Sequence, residues 1–374
     1  MQYTEYELGE LLPFEQPTAY IVKSTDYSDA YATPVLTAGK SFILGKTNET
    51  DGIFDQLPVI IFDDFTTATQ FVNFRFKVKS SAMKILQINT DLVIPKYIFY
   101  RLQIIQFDHS THKSYWIQSY SKIKVLIPPL DEQSRIVTRI DELFSELDKA
   151  VDTLKTTKEQ LEVYRQAVLV DAFRVATNST HLKIGYVCAK IVDCPHSTPK
   201  WEKNGKLCLR TTNFKRGYLD LQSPNYVSEE TFNDRNRRII PQPGDVLYSR
   251  EGSVLGIACT IPSNVYPCLG QRMMLLRSGE KLNNRYLMHY LNSPMVTNHV
   301  IATKGGTGSP HINVGDIKEF QIPIPSLEEQ SNIVRQIEEQ LSSCDNVEKT
   351  VDAILTQADA MRQSILKQAF EGTL

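Results

Sequence analysis

Ile127-Pro128-Pro129-Leu130-Asp131-Glu132-Gln133-Ser134 returns 197 residues later as Ile324-Pro325-Ser326-Leu327-Glu328-Glu329-Gln330-Ser331. Arg165-Gln166-Ala167-Val168-Leu169 returns at the same offset as Arg362-Gln363-Ser364-Ile365-Leu366, and the register holds without a gap from Ile127 to Phe173, with 19 of 47 positions identical. A match of that length at one offset is an internal duplication, and it governs how the rest is read. Each copy opens on a Pro-containing extended segment and then runs for about forty residues without Pro or Gly, which predicts one long helix. Ser326 with Glu329 forms a capping-box pattern at the second start. Apolar residues recur in the first copy at Ile136, Ile140, Leu143, Leu147, Ala150, Leu154, Leu161, Tyr164 and Val168, and in the second at Ile333, Ile337, Cys344, Val347, Val351, Ile354, Ala358, Met361 and Ile365. That alternation of three and four is a coiled-coil seam. A helix so long and so narrowly apolar needs a partner, and its own duplicate packed antiparallel supplies one. At about 1.5 Å per residue the helix is roughly 60 Å long, the length of a spacer.

The expected architecture is α+β: two α/β domains, residues 1–126 and 174–323, separated by two long helices, 127–173 and 324–374, packed as an antiparallel coiled coil with a pseudo-twofold repeat. Strand-like runs occur at Val59 to Phe62, Phe71 to Val78, Asp245 to Tyr248 and Met273 to Leu276. Both domains end in a helix and then an extended run: Pro95 to Gln106 before Ile123 to Ile127, and Asn283 to Leu291 before Phe320 to Ile324. Between these lie matched loops, Asp108 to Lys113 and Lys304 to His311. Elsewhere the two domains read as greatly different.

The chain has 374 residues, 41% apolar and 22% charged, the composition of folded globular material. Its apolar runs are far shorter than the roughly 20 residues of a bilayer span, and its first thirty residues are polar and acidic, so neither anchor nor signal peptide is expected. Six Cys without a C-x-x-C pair suit scattered reduced thiols in a cytosolic protein. The net charge of -2 conceals a basic block: residues 175–323 hold 18 Lys and Arg against 11 Asp and Glu, while 127–174 hold 7 against 10 and 324–374 hold 4 against 9. A basic block can neutralise phosphates, and the acidic ones are better aimed at protein.

Enzyme motifs fail on inspection. Gly39-Lys40-Ser41 and Gly45-Lys46-Thr47 end like phosphate loops, but the first Gly is replaced by Pro34 and Lys40. Asn292-Ser293-Pro294-Met295 misses the Asp/Asn-Pro-Pro-aromatic string of DNA amino-methyltransferases at two positions. Asp193-Cys194-Pro195-His196 reads as a turn rather than a metal or thiol site, and Asp63-Asp64 as a solvated pair rather than a metal site. No catalytic or metal residue is assigned.

Nucleic-acid candidates remain. In the Gly-rich loop, Lys304, Thr307, Ser309 and His311 offer phosphate and base-edge donors, against the plainer reading of a flexible turn. Lys215 and Arg216 with Arg235, Arg237 and Arg238 form a basic cluster, against a solvated face. Arg250, just after a predicted strand, has the fork for a bidentate guanine contact. In the first domain Lys77, Lys79, Lys84, Lys113, Lys122 and Lys124 are candidates for backbone contacts.

Two variable α/β domains, each followed by a Pro-x-Leu-x-Glu-Gln helix, resemble the specificity subunit of type I restriction-modification enzymes. The resemblance covers the whole chain; Gln368 to Leu374, Pro243-Gly244-Asp245-Val246-Leu247 and the Gly-rich loop before Ile317-Lys318 also look like elements of that family. It departs where the first helix ends Ala172-Phe173-Arg174-Val175 without Gly, and where the first domain has Leu57-Pro58-Val59-Ile60 in place of Pro-Gly-Asp. The resemblance implies that each domain reads one half of a bipartite double-stranded DNA site, while the helices set the gap and dock two modification (methyltransferase) subunits. Two restriction/translocase subunits are an optional addition. S-adenosylmethionine, ATP and Mg²⁺ would then sit on partner subunits and none on this chain. Other readings are the recognition subunit of a type IIB-like enzyme, a coiled-coil scaffold without DNA reading, and a hydrolase or transferase with an unfamiliar motif.

Overall fold

The computed structural model describes residues 3–37, 41–105, 115–303 and 310–374. The chain divides into two compact units, residues 1–154 with 353–374 and residues 155–352. Two 45-residue helices, Leu130–Arg174 and Leu327–Glu371, each contribute to both units. Both helices begin with paired carboxylates, Asp131 and Glu132 or Glu328 and Glu329, which favour the positive helix start. At the second start the expected capping box forms: Glu329 N–H donates to Ser326 Oγ at 3.2 Å, and Ser326 N–H to Glu329 Oε2 at 2.9 Å. Gly372, at φ +73°, stops the second helix; the first, lacking that Gly, runs into a 3-10 turn over Val175–Asn178.

In the first unit, four strands pair antiparallel in the order Phe14–Glu15, Met83–Leu86, Val59–Asp63, Thr69–Val72. A second sheet runs Ile43–Thr47, Thr33–Leu36, Lys77–Val78, its last pair parallel. The second unit repeats this plan: Cys188–Asp193, Met273–Ser278, Val246–Ser249, Ala258–Thr260, and then Tyr226–Val227, Lys206–Leu209, Cys268–Leu269 with the last pair again parallel. Each domain also closes on itself, Thr4–Glu7 pairing with Lys124–Ile127 and His181–Lys183 with Gln321–Pro323. The expectation that the domains differ outside their frame is therefore corrected. Their backbone plan is one; a sheet requires an inward-facing apolar residue at alternate positions, not a particular one, so sequence identity was lost while the plan was kept. The run Phe71 to Val78 also divides, contributing one strand to each sheet of its unit.

Within each unit the two helices lie antiparallel. In the first, Ile140 is fully buried against Leu366 and Ala369, and Arg362 pairs with Asp148. In the second, Arg165 meets Asp345 at 2.5 Å and Glu348 at 2.9 Å, and Lys158 meets Asp352 at 2.7 Å, with Val168 and Leu169 in one core with Ile333 and Ile337. Adding 197 to Arg165 and subtracting it from Asp345 gives Arg362 and Asp148, so the ion pairs obey the pseudo-twofold of the sequence. Part of the expected seam, a third of it in the second helix, is displaced by one position. Cys344, Val351 and Ala358 are buried as expected, but Val347, Ile354 and Met361 are 44%, 42% and 53% exposed, and Tyr164 is 51% exposed. The neighbours Glu348 and Arg362 take those places, their charges matched across the seam. A pattern counted on apolar residues alone passes over polar seam positions. Ile136, Leu147, Leu154, Leu161 and Ile365 are half-buried.

The repeated Gln fastens each domain to its helix. Gln133, fully buried, accepts from Ile94 N–H at 2.7 Å and donates to the carbonyls of Leu92 at 3.1 Å and Pro128 at 2.8 Å. Gln330 does the same with Asn283 N–H at 2.8 Å and the carbonyls of Lys281 and Pro325, both at 2.9 Å. These bonds seat the helices Pro95–Leu102 and Asn284–Asn292. The seat is completed by an acidic residue about two turns further along, Asp141 taking Lys96 and Tyr100, and Glu338 taking Arg285 and His289. The end of the opposite helix adds an aromatic edge, Phe370 on Tyr97 and Phe173 on Tyr286 and Tyr290.

Candidate nucleic-acid interface

In the second unit, loops converge where the strand Val246–Ser249 ends. Arg250 follows it directly and is 6% exposed. Its Nε donates to Asp193 Oδ1 at 2.8 Å and its Nη2 to Asp193 Oδ2 at 3.3 Å, and Nη2 also lies 3.3 Å from Glu251 Oε1. The fork expected to meet guanine is thus already engaged, because a guanidinium taken out of water needs acceptors for its N–H groups, which carboxylates supply here; Arg250 holds the loop instead. Arg250→Ala should cost about 1.5–3 kcal/mol, since Asp193 loses its two charge-assisted hydrogen bonds and Glu251 keeps only the looser Arg272. Thermal denaturation checks this, and an unchanged midpoint would contradict it.

The other candidates separate in the same way. Arg235 is buried and donates to the carbonyls of Leu269, Gly270 and Ser197 at 2.9, 3.1 and 2.5 Å, so it is an internal brace rather than a surface cation. Arg237, exposed, rests on Asp234 at 3.0 Å, and Arg238 is exposed beside it. Lys215 and Arg216 are exposed on the hairpin Phe214–Lys215 and Tyr218–Leu219, where Arg216 reaches the Asn292 carbonyl at 3.3 Å. That hairpin packs on the four-stranded sheet, while the helix Glu229–Arg235 ahead of Arg237 packs on the three-stranded one, so the basic cluster is split between sheets.

His311 is half-buried and bridges to Glu251 through its backbone, while Ile312 N–H donates to the Arg250 carbonyl at 3.0 Å. The Gly-rich loop therefore returns to the fold beside Arg250. Lys304, Thr307 and Ser309, and in the first domain Lys113, lie outside the described residues.

In the first unit, Lys79 and Lys122 are exposed, and Lys124 pairs with Glu5 at 2.9 Å. Two lysines leave the surface set. Lys77, 2% exposed, binds Glu49 at 3.2 Å and the Asp51 carbonyl at 2.6 Å, and Lys84 is buried 3.3 Å from Asp64; both neutralise internal acceptors. Asp63 caps a turn, accepting from Phe65 N–H and Thr66 Oγ1. Among the described residues, no three His, Cys, Asp or Glu side chains are grouped to hold a metal ion. Cys194 is fully buried, accepts from Met273 N–H at 3.3 Å and has its pKa raised by burial, which suits packing and opposes a nucleophilic role.

Sequence reasoning missed a cleft of about 150 Å³ beside Arg250, lined by Trp201, Arg210, Thr212, Glu251, Gln271 and Arg272. Arg210 lies over the Trp201 ring at 5.4 Å. The available signal was positional: Arg210 and Gln271 follow strand ends, where a reading side chain on a rigid sheet would sit. The first unit has the same backbone place, with Tyr115 N–H donating to the Asp64 carbonyl as Ile312 does to Arg250. Its chemistry is different: after Asp64 come Phe65, 63% exposed, and Thr67 at φ +59°.

Two domains of one strand plan, each with its own loop tip and each seated on a shared pair of helices, define a tandem recognition protein. The model of the type I restriction modification DNA specificity domain matches residues 2–163 and again 190–357, and the chain belongs to that family. The type I restriction enzyme EcoR124I/EcoR124II specificity subunit of Escherichia coli is 33% identical over 339 residues, covering 87% of this chain and 84% of that one. Two solved structures share the fold at 19% identity. A chain from a study of complex assembly and conformational transition in the type I R-M system has a TM-score of 0.70, covering 100% of this chain and 98% of that one. The HsdS subunit from Thermoanaerobacter tengcongensis has a TM-score of 0.55, covering 100% and 97%.

Proposed function

We propose that this chain is the DNA-sequence-specificity subunit of a type I restriction-modification complex. Each domain reads one half of a bipartite duplex site, and the long helices set the gap between the halves and dock two modification subunits. The observation that carries this reading is the pairing of one backbone plan with two unlike loop tips. Equivalent scaffolds can address one duplex through a pseudo-twofold, while the unlike loop tips that follow Arg250 and Asp64 at the same place would select different bases. The basic excess of residues 175–323 supports phosphate contact by the second domain.

On this reading the chain is non-catalytic and cytoplasmic, and supplies address while its partners supply chemistry. S-adenosylmethionine, ATP and Mg²⁺ belong to those partners. Mapping adenine methylation in cells that carry a cognate modification subunit, with and without this chain, tests the proposal. A bipartite motif present only with the chain is expected. Assembly of the complex without any new motif would overturn it.

A further inference from the structure

Resting on that functional reading, we infer that the cleft beside Arg250 reads base edges of the second domain's half-site, with Arg272 and Gln271 as the reading residues and Arg250 as a positioning residue. The reading pair has the right chemistry and the right restraint. Arg272 sits in the left-handed region at φ +66°, a conformation costly for a long side chain and maintained where the surrounding structure imposes it. Its side chain is 49% exposed and lies against Glu251 only loosely, at 3.8 Å, so the guanidinium fork is oriented without being consumed. Arg250 is the opposite case, 7% exposed and closed on Asp193.

Gln271 complements Arg272. Thr198 Oγ1 donates to its Oε1 at 2.8 Å, so the amide offers N–H donors to the cleft. Glu251, held between Arg250 and Arg272, supplies the acceptor. Arg210 over Trp201 adds a second fork at the rim. A cleft so rich in donors fits the two acceptors, O6 and N7, that guanine turns to the major groove. Arg250 acts through Glu251 and through its own carbonyl, which receives Ile312 N–H and so places the loop carrying His311.

The test uses the full chain with its modification subunit in cells, read by methylation mapping. Arg272→Asn keeps a residue that tolerates the left-handed backbone, Gln271→Ala removes the amide, and Glu230→Ala, an exposed acidic position outside every proposed contact, serves as a surface control. Expected for each of the first two is a loss of discrimination of about tenfold or more at a G·C pair of one half-site, with the other half-site and the gap unchanged. Glu230→Ala should leave the motif intact. An unaltered motif with both Arg272→Asn and Gln271→Ala would overturn the cleft assignment, as would equal loss at both half-sites. Absence of a motif with the unaltered chain would overturn the functional reading beneath it.

Discussion

Deleting four residues from the middle of each long helix is expected to shorten the unread gap of the DNA site by one to two base pairs and to leave both half-sites as they were. Four residues remove about 6 Å of helix, close to two base-pair steps of about 3.4 Å. They also remove about 40° beyond a full turn, in the same right-handed sense as the roughly 35° by which DNA turns at each base pair. Distance and rotation therefore change together in a way that the duplex can follow. The cut belongs near Leu154 and Val351, clear of the Gln133 and Gln330 seats and of Arg165 and Arg362. Methylation mapping of the shortened chain decides the matter, and an unchanged gap would remove the helices from the role of ruler.

Gln133→Leu and Gln330→Leu should each destabilise their own unit by about 4 kcal/mol. Each glutamine is fully buried and makes three hydrogen bonds to backbone groups. Leucine fills similar space but leaves one N–H and two carbonyls unpaired, each costing about 1–3 kcal/mol when shielded from water. Chemical denaturation monitored in each unit would detect this; a loss below about 1 kcal/mol would show that water replaces the amide.

The frame was legible in the sequence because helices and their caps are local and periodic. The 197-residue offset gave both helices and their antiparallel sense, and the shared Pro-x-Leu-x-Glu-Gln string marked where each begins. Two features were less accessible. The polar seam positions Glu348 and Arg362 look like solvent-facing residues until the partner's charge is placed opposite. The shared strand plan is written in alternation and register, which tolerate almost complete replacement of side chains. For the site, counting cations found the basic block but did not separate exposed Arg237 from buried Arg235 and Arg250, since burial depends on carboxylates and carbonyls far away in the chain. Arg272 and Gln271 carried no local motif; a strained backbone and a neighbouring cleft mark them only in three dimensions.

Each domain begins and ends on neighbouring antiparallel strands, Thr4–Glu7 beside Lys124–Ile127 and His181–Lys183 beside Gln321–Pro323. A module whose two ends emerge side by side behaves as a cassette. It can be exchanged for another of the same plan at a single doorway, with the Gln latch and the aromatic edge remaining in the helices that receive it. New addresses would then arise by recombination at these junctions, with old halves shuffled into new combinations faster than point substitution could rebuild either one.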